Sequence, residues 1–273
     1  MAVKIGYGQG SAFAFRWLDG YVDFNDAQSL RLRTALDEWF RWNRRTQLAD
    51  YADLLGGAAA ELPGNITPER MCGFFDEVRT RFDAGLEHAA PTIVELAPTV
   101  SPQQIANIEK KYADRNESYR DEFIQRDLAK RRKASVEREV ERAGDFYGGL
   151  DRAQRDMVAR SVAESPYDAE LTYAERLRRQ QDVVAILRKL AAARAARSDT
   201  PADVEAELKG YMQRIERSPR EDYRRYSARI IDYNCAFAST LHNATTAEQR
   251  RHAVKKVREF EADLRSLAAD AAG

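Results

Sequence analysis

Cysteine is scarce in this chain of 273 residues: Cys72 and Cys235 are the only two, too few and too far apart for a thiolate zinc site or a disulfide framework. In an oxidising compartment they could pair and tie two distant helices together; otherwise they are two small buried apolar side chains. Histidine is equally sparse. His88, His242 and His252 are scattered, and none has a carboxylate or second histidine at the spacing of a ligand motif, so no metal site is expected. His242, next to a helix end, reads as a capping cation. No segment approaches the roughly 18 uninterrupted apolar residues of a membrane span. The opening Met1-Ala2-Val3-Lys4-Ile5 lacks the apolar core of a signal peptide, so the chain reads as cytosolic or as a mature form without its leader. Excess charge is missing too: Lys plus Arg and Asp plus Glu both number 44, which leaves no field to attract nucleic acid. Neither a serine elbow nor a cysteine with a histidine in context is found, no cofactor is expected, and strand signals are absent.

What is present is helical. Hydrophobic residues make up 44% and charged residues 32%, a balance suited to long helices with wide solvated faces. Five of the eight prolines, at 68, 102, 166, 201 and 219, follow Ser or Thr. A hydroxyl at the N-cap accepts an orphan amide, and proline at the next position loses no hydrogen bond, so helices are expected to begin near Thr67, Ser101, Ser165, Thr200 and Ser218. Asn25 with Gln28, Asp151 with Gln154 and Thr246 with Gln249 add three capping boxes, with Phe24, Ile66, Val100 and Leu150 as hydrophobic staples before caps. Apolar residues keep helical spacing from Met71 through Phe74, Phe75, Val78, Phe82 and Leu86 to Ile93 and Leu96, with Pro91 as a kink. The same stepping from Tyr223 to Phe237 and from Ala253 to Leu267 predicts a C-terminal helical hairpin turning through residues 242–245.

From Ser101 to Phe146 neither proline nor glycine intervenes between Pro102 at the helix start and Gly144, so this stretch could form one helix of roughly 65 Å. Its apolar stripe fails between Arg126 and Ser135, where the middle would be exposed, bent or covered. The expected architecture is an elongated all-α bundle of seven to nine helices with one overlong central helix. Residues 1–11 would form an N-terminal tether, 12–147 one helical half and 150–273 the other, unless the two make one continuous domain.

Candidate chemistry is thin. Gly6-Tyr7-Gly8-Gln9-Gly10-Ser11 offers amides to a phosphate, but no strand precedes it and no lysine follows, so it reads as a flexible tether. Lys130-Arg131-Arg132-Lys133 is followed by Glu137, Glu139 and Glu141 and reads as a solvated helix face. Aromatic density at the N-terminus is the unusual feature: all three tryptophans precede residue 43. More rings than one short helix can bury would leave an apolar groove, for which Trp17, Asp19, Tyr21, Asp23, Trp39, Trp42, Arg44 and Arg45 are the candidate lining. An alternative is an enzyme using Asp19 and Asp23 or Arg44 and Arg45 in a cleft lined by the tryptophans.

The run Trp17-Leu18-Asp19-Gly20-Tyr21-Val22-Asp23-Phe24 with Asp26-Ala27-Gln28, and later Trp42-Asn43-Arg44-Arg45-Thr46-Gln47-Leu48 with Tyr51, resembles a domain-of-unknown-function family of predicted lipoproteins from beta- and gammaproteobacteria. The likeness covers about residues 3 to 55. In that family the segment like Val3-Lys4-Ile5-Gly6-Tyr7 follows a lipidated cysteine that this chain does not contain, and Asn43 and Ala49 stand where His and Pro are expected. The starts Asn25-Asp26-Ala27-Gln28, Ser101-Pro102-Gln103-Gln104 and Thr245-Thr246-Ala247-Glu248-Gln249 are also similar to the Leu-Thr-x-x-Gln signature of Spy-like periplasmic chaperones, a pattern that simple capping boxes share. The resemblance implies a periplasmic protein held at the outer membrane only by an N-terminal lipid. It would be a binding, chaperone-like or scaffolding protein meeting a protein or envelope component through an apolar groove, with a homodimer or a cytosolic adaptor as further readings.

Overall fold

A computed structural model describes residues 6–125, 127–198 and 200–270. Val3, Lys4 and Ile5, where the family resemblance begins, lie outside the described residues. Among the described residues the chain is all-α, with eleven α-helices, one 3-10 turn and no strand. The helices are α1 Gly10–Val22, α2 Asp26–Thr46, α3 Leu48–Glu61, α4 Pro68–Leu96, α5 Pro102–Phe123, α6 Leu128–Tyr147, α7 Arg152–Glu164, α8 Ala169–Ala195, α9 Pro201–Glu216, α10 Glu221–Asn243 and α11 Ala247–Ala269, and the 3-10 turn Ala97–Thr99 links α4 to α5.

That count exceeds the seven to nine expected, in part because α3 is separate from α2 and in part because the overlong central helix does not exist. It is two helices, α5 and α6. The backbone leaves helical geometry at Ile124, and Asp127 starts α6 by accepting the Lys130 amide at 2.9 Å. A straight continuation would have carried a turn with only Leu128 to bury, and Leu128 is exposed even so. The break instead lets Arg138 reach back over the Phe123 ring, 4.9 Å from its centroid, and to Glu122.

Most caps stand where the hydroxyl and carboxamide pattern puts them: Asn25, Thr67, Ser101, Asp151, Thr200 and Thr246 each accept an amide of the first turn. Two do not. Ser165 ends α7 rather than starting a helix, and α8 begins after Asp168, whose carboxylate takes the Leu171 amide. Ser218 is buried and its hydroxyl donates to Glu175 at 2.9 Å, so α10 begins later, after Arg220. In both cases a carboxylate, that of Asp168 just beyond Ser165 or that of Glu175 back in α8, outcompetes the Ser-Pro signal.

Packing joins the beginning of the chain to its end. The main core cluster takes Ala59, Leu62 and Ile66 from one side of the Gly148-Gly149 turn and Val158, Leu241, Ala253 and Val257 from the other. Gly148 closes α6 at φ 82°, where an added Cβ would also meet the His252 ring at 3.0 Å. The two C-terminal helices are joined by the expected short turn, but each finds its main neighbour elsewhere, α10 on α4 and α11 on α3. Cys72 of α4 and Cys235 of α10 form a disulfide with their Cα atoms 5.4 Å apart.

His242 is not a capping cation. It is wholly buried, its Nε2 is 2.9 Å from the Gly64 carbonyl, and its Nδ1 is 3.0 Å from the Tyr147 hydroxyl. A carbonyl only accepts, so Nε2 carries the proton and Nδ1 accepts from Tyr147. Burial, outweighing the Gly64 bond, holds the imidazole below its ordinary range, and Arg250 adds to that.

Candidate functional site: an apolar groove with a cationic end

The helical spacing of α1 puts Trp17, Leu18, Tyr21 and Val22 on one face. The helix is stopped by Asp23 in the left-handed region (φ 62°), whose amide bonds to the Asp19 carbonyl, while the Asp19 carboxylate takes the Phe24 amide at 3.0 Å. Asp19 and Asp23 thus serve the end of α1. The Asp23 carbonyl accepts from Gln104 at 2.9 Å and Tyr21 meets Tyr112 edge-on at 6.0 Å, which seats α1 against α5.

Three further walls complete a groove of about 700 Å³: Ile93 and Leu96 at the end of α4 with Ala97 and Val100 beyond it, Ile108 and Tyr112 of α5, and one face of α8. On α8 the lining residues Thr172, Arg176, Arg179, Val183 and Leu187 step by three and four. The helix therefore presents a gradient, apolar at Leu187 and Val183 and cationic at Arg179 and Arg176. It runs antiparallel to α5, since Arg188 pairs with Glu109 at 2.8 Å and Tyr173 stacks on Tyr119 at 5.7 Å.

The polar end is organised by Glu175, which is 1% exposed. It accepts from Arg178 at 2.7 Å, Arg179 at 3.1 Å and Ser218 at 2.9 Å. Burial works to raise its pKa, but the bonds from Arg178, Ser218 and Arg179 together hold it below the usual carboxylate range. Arg178 and Arg214 share Asp182 as well. Arg176 stands outside this network: its Nε donates to the neutral Asn116 at 2.8 Å and its guanidinium lies 5.4 Å from the Tyr119 ring centroid. Beside it the Tyr112 phenol is pushed up to about 12, by burial first and by Tyr211 and Tyr21 next, against the pull of Arg176. Tyr112 is neutral at any physiological pH and supplies no counter-charge.

Of the residues expected in a groove from sequence, Trp17 and Tyr21 line it. The other tryptophans join α2 to α4: the Trp39 indole donates to the Gly85 carbonyl at 2.9 Å, and Trp42 stacks on His88 at 3.8 Å. Arg44 lies over the Tyr7 ring, 5.3 Å from its centroid, and Arg45 is exposed in the last turn of α2, where a cation suits the helix dipole. Tyr7, within the segment expected to be a tether, donates to Asn43 at 2.7 Å, and Asn43 donates in turn to Tyr51. Asp19 and Asp23 therefore do not converge with Arg44 and Arg45 on one cavity. Sequence reading missed the α8 face; its three-four stepping of mixed arginine and aliphatic residues was the available signal.

Two other surfaces are distinctive. Phe75, Val78, Phe82 and Leu86 of α4, spaced as core positions, are exposed instead, Phe82 at 71%. Met71 and Phe74 do pack on the core, so the stripe leaves it after one turn. A shallow polar depression of about 410 Å³ is lined by Gly148, His252, Lys255 and Lys256, but His252 and Lys256 already bond the carbonyls of Phe146 and Asp145. Among the described residues no cluster of His, Cys, Asp and Glu is placed to hold a metal ion, and no helix is long and apolar enough to cross a membrane.

Fold and site together define an all-helical protein, pinned by a long-range disulfide, with an apolar groove that is cationic at one end. Residues 20–224 match DUF6279, a family of unknown function, and the chain belongs to that family. The matched stretch runs from the last turn of α1 into α10 and takes in the α4, α5 and α8 walls of the groove. No curated protein and no solved structure matches the chain.

Proposed function

We propose that this is a binding protein of the cell envelope, held at the outer membrane by an N-terminal lipid, whose groove receives the apolar segment of an envelope component in a carrier or chaperone-like role. The observation that carries the reading is the groove itself: some 700 Å³ with mostly aliphatic and aromatic walls and a few polar groups gathered at one end, the ordinary composition of a ligand site. The Cys72–Cys235 disulfide supports an oxidising compartment over the cytosol and so disfavours a cytosolic adaptor. The lipid anchor is supported by the likeness of the N-terminal stretch to predicted lipoproteins. Binding is favoured over catalysis because Asp19 and Asp23 stand at the end of α1 and Arg44 and Arg45 at the end of α2, with Asp19 taking the Phe24 amide and Arg44 lying over the Tyr7 ring.

Titration with the neutral apolar fluorophore N-phenyl-1-naphthylamine tests this. Saturable one-to-one binding is expected, weakened more than tenfold by Val183→Trp, which fills the groove from α8, in a variant whose melting temperature matches the native protein. Absence of saturable binding, or equal binding by the filled variant, would remove the groove as the functional site.

A further inference from the structure

We infer that the ligand of the groove is a single-chain amphiphile bearing one anionic head, a carboxylate or a phosphate monoester, with its tail along the α1 and α8 walls and its head on Arg176. This rests on the reading of the groove as a binding site and adds the chemistry of what enters it.

The first support is charge. In the ion-pair network at the polar end, Glu175 and Asp182 are already shared among Arg178, Arg179 and Arg214. Arg176 is left over. No carboxylate among the described residues pairs with it, and beyond the Nε bond to Asn116 its amino groups donate to no acceptor in the described part of the chain. A second cation stands close to the same wall, the Lys111 Nζ, 5.9 Å from the Tyr21 ring centroid. An arginine whose plane is fixed through Nε, with its outer amino groups open, is suited to a planar carboxylate or a phosphate oxygen pair.

The second support is the polarity gradient. From Arg176 to Leu187 the face of α8 covers about 16 Å at 1.5 Å per residue. An extended chain advances about 1.2 Å per bond, so the run from Arg176 past Arg179 to Val183 and Leu187 matches a tail of roughly a dozen methylenes. A neutral apolar ligand would leave Arg176 without a counter-ion at the rim of an apolar cavity. A folded protein domain could not enter a groove of about 700 Å³, whereas a single chain can.

Laurate, dodecyl phosphate and dodecanol, each titrated below its aggregation threshold by displacement of the neutral fluorophore, separate the possibilities. At least one of the two anions is expected to bind about tenfold more tightly than dodecanol, and comparing them tells a carboxylate head from a phosphate one. Arg176→Gln should abolish that preference while leaving dodecanol affinity within twofold, and the same charge change at the exposed Arg115 should alter neither. If the fluorophore binds but dodecanol and both anions compete equally, the head-group assignment falls and the groove reading survives. If only an apolar peptide displaces the fluorophore, the ligand class is wrong. If the fluorophore itself does not bind, both readings fall together.

Discussion

A glutamine at the third position of a helix can close a capping box, and at four places here the same carboxamide also grips a second helix. Gln28, Gln104, Gln154 and Gln249 each accept the amide of their own N-cap residue. Gln28 and Gln104 then exchange hydrogen bonds with each other, as do Gln154 and Gln249 at 2.8 Å in both directions. Each also donates to the carbonyl two residues ahead of its partner's cap: Thr99, Asp23, Ala244 and Gly149. Only a carboxamide can accept from its own helix and donate twice to another, which is why Gln rather than Glu stands at all four positions. The caps were legible in sequence because capping is local. The handshakes were not, since they join residues 76 and 95 positions apart. We expect Gln154→Leu to cost about 2–3 kcal/mol, from the lost bonds and the stranded polar groups. Gln154→Leu combined with Gln249→Leu should cost clearly less than the sum of the single changes in urea unfolding. His242 makes a second prediction. Its pKa is lowered by folding, so the unfolded state binds the proton more readily. The neutral imidazole's contribution is complete above the ordinary histidine pKa of about 6.5 and is lost as pH falls through the folded value. Urea midpoints measured from pH 8 down to 5 should decline below about 6.5, and His242→Gln should lower stability while flattening that decline. Glu175, with its pKa lowered, acts in a separate window: its contribution is present above about 4.5 and is lost at more acid pH.

At the level of elements, what sets the helix arrangement is which faces can come close. The α3 sequence Leu48-Ala49-Asp50-Tyr51-Ala52-Asp53-Leu54-Leu55-Gly56-Gly57-Ala58-Ala59-Ala60-Glu61 is rich in small residues, and α11 lies along it with Ala52 and Ala253 wholly buried. A Cβ on Gly56 would come within 3.0 Å of the Glu261 carboxylate, itself held by Arg258 and Arg265. Ala52→Leu must push these helices apart, and we expect a loss of about 1–3 kcal/mol by thermal or chemical denaturation. Helix existence was legible from stepping and caps; helix partnership was not. Periodic apolar spacing told that α4 is a helix but not that Phe75, Val78, Phe82 and Leu86 face away from the core. Likewise, between Pro102 and Gly144 no proline or glycine marked a break, and only the failing apolar stripe around Leu128 signalled the one that precedes α6. The aromatic N-terminal stretch marked a real surface, yet its rings divide between the groove and the α2–α4 contact, because a three-four period assigns a face to a ring and not the neighbour it meets.

Across the whole molecule, the disulfide decides how the two ends of the chain are held. Cys72 and Cys235 close a separation of 163 residues, for which chain entropy alone gives a stabilisation of about 5 kcal/mol. Reduction, or paired Cys72→Ser and Cys235→Ser changes, should lower the unfolding midpoint by a large fraction of that value, and thiol counting on denatured native protein should find none free. Sequence left the pairing open, because connectivity between two cysteines is a matter of tertiary distance. Family membership places the groove walls in α4, α5 and α8 within the matched stretch. The most direct test is photolabelling of the intact, oxidised protein with a photoactivatable dodecanoate, followed by mapping of the modified peptides. We predict labels on the α1 and α8 segments that carry Trp17, Tyr21, Val183 and Leu187; labels confined to the exposed Phe75–Leu86 stripe of α4 would contradict the account.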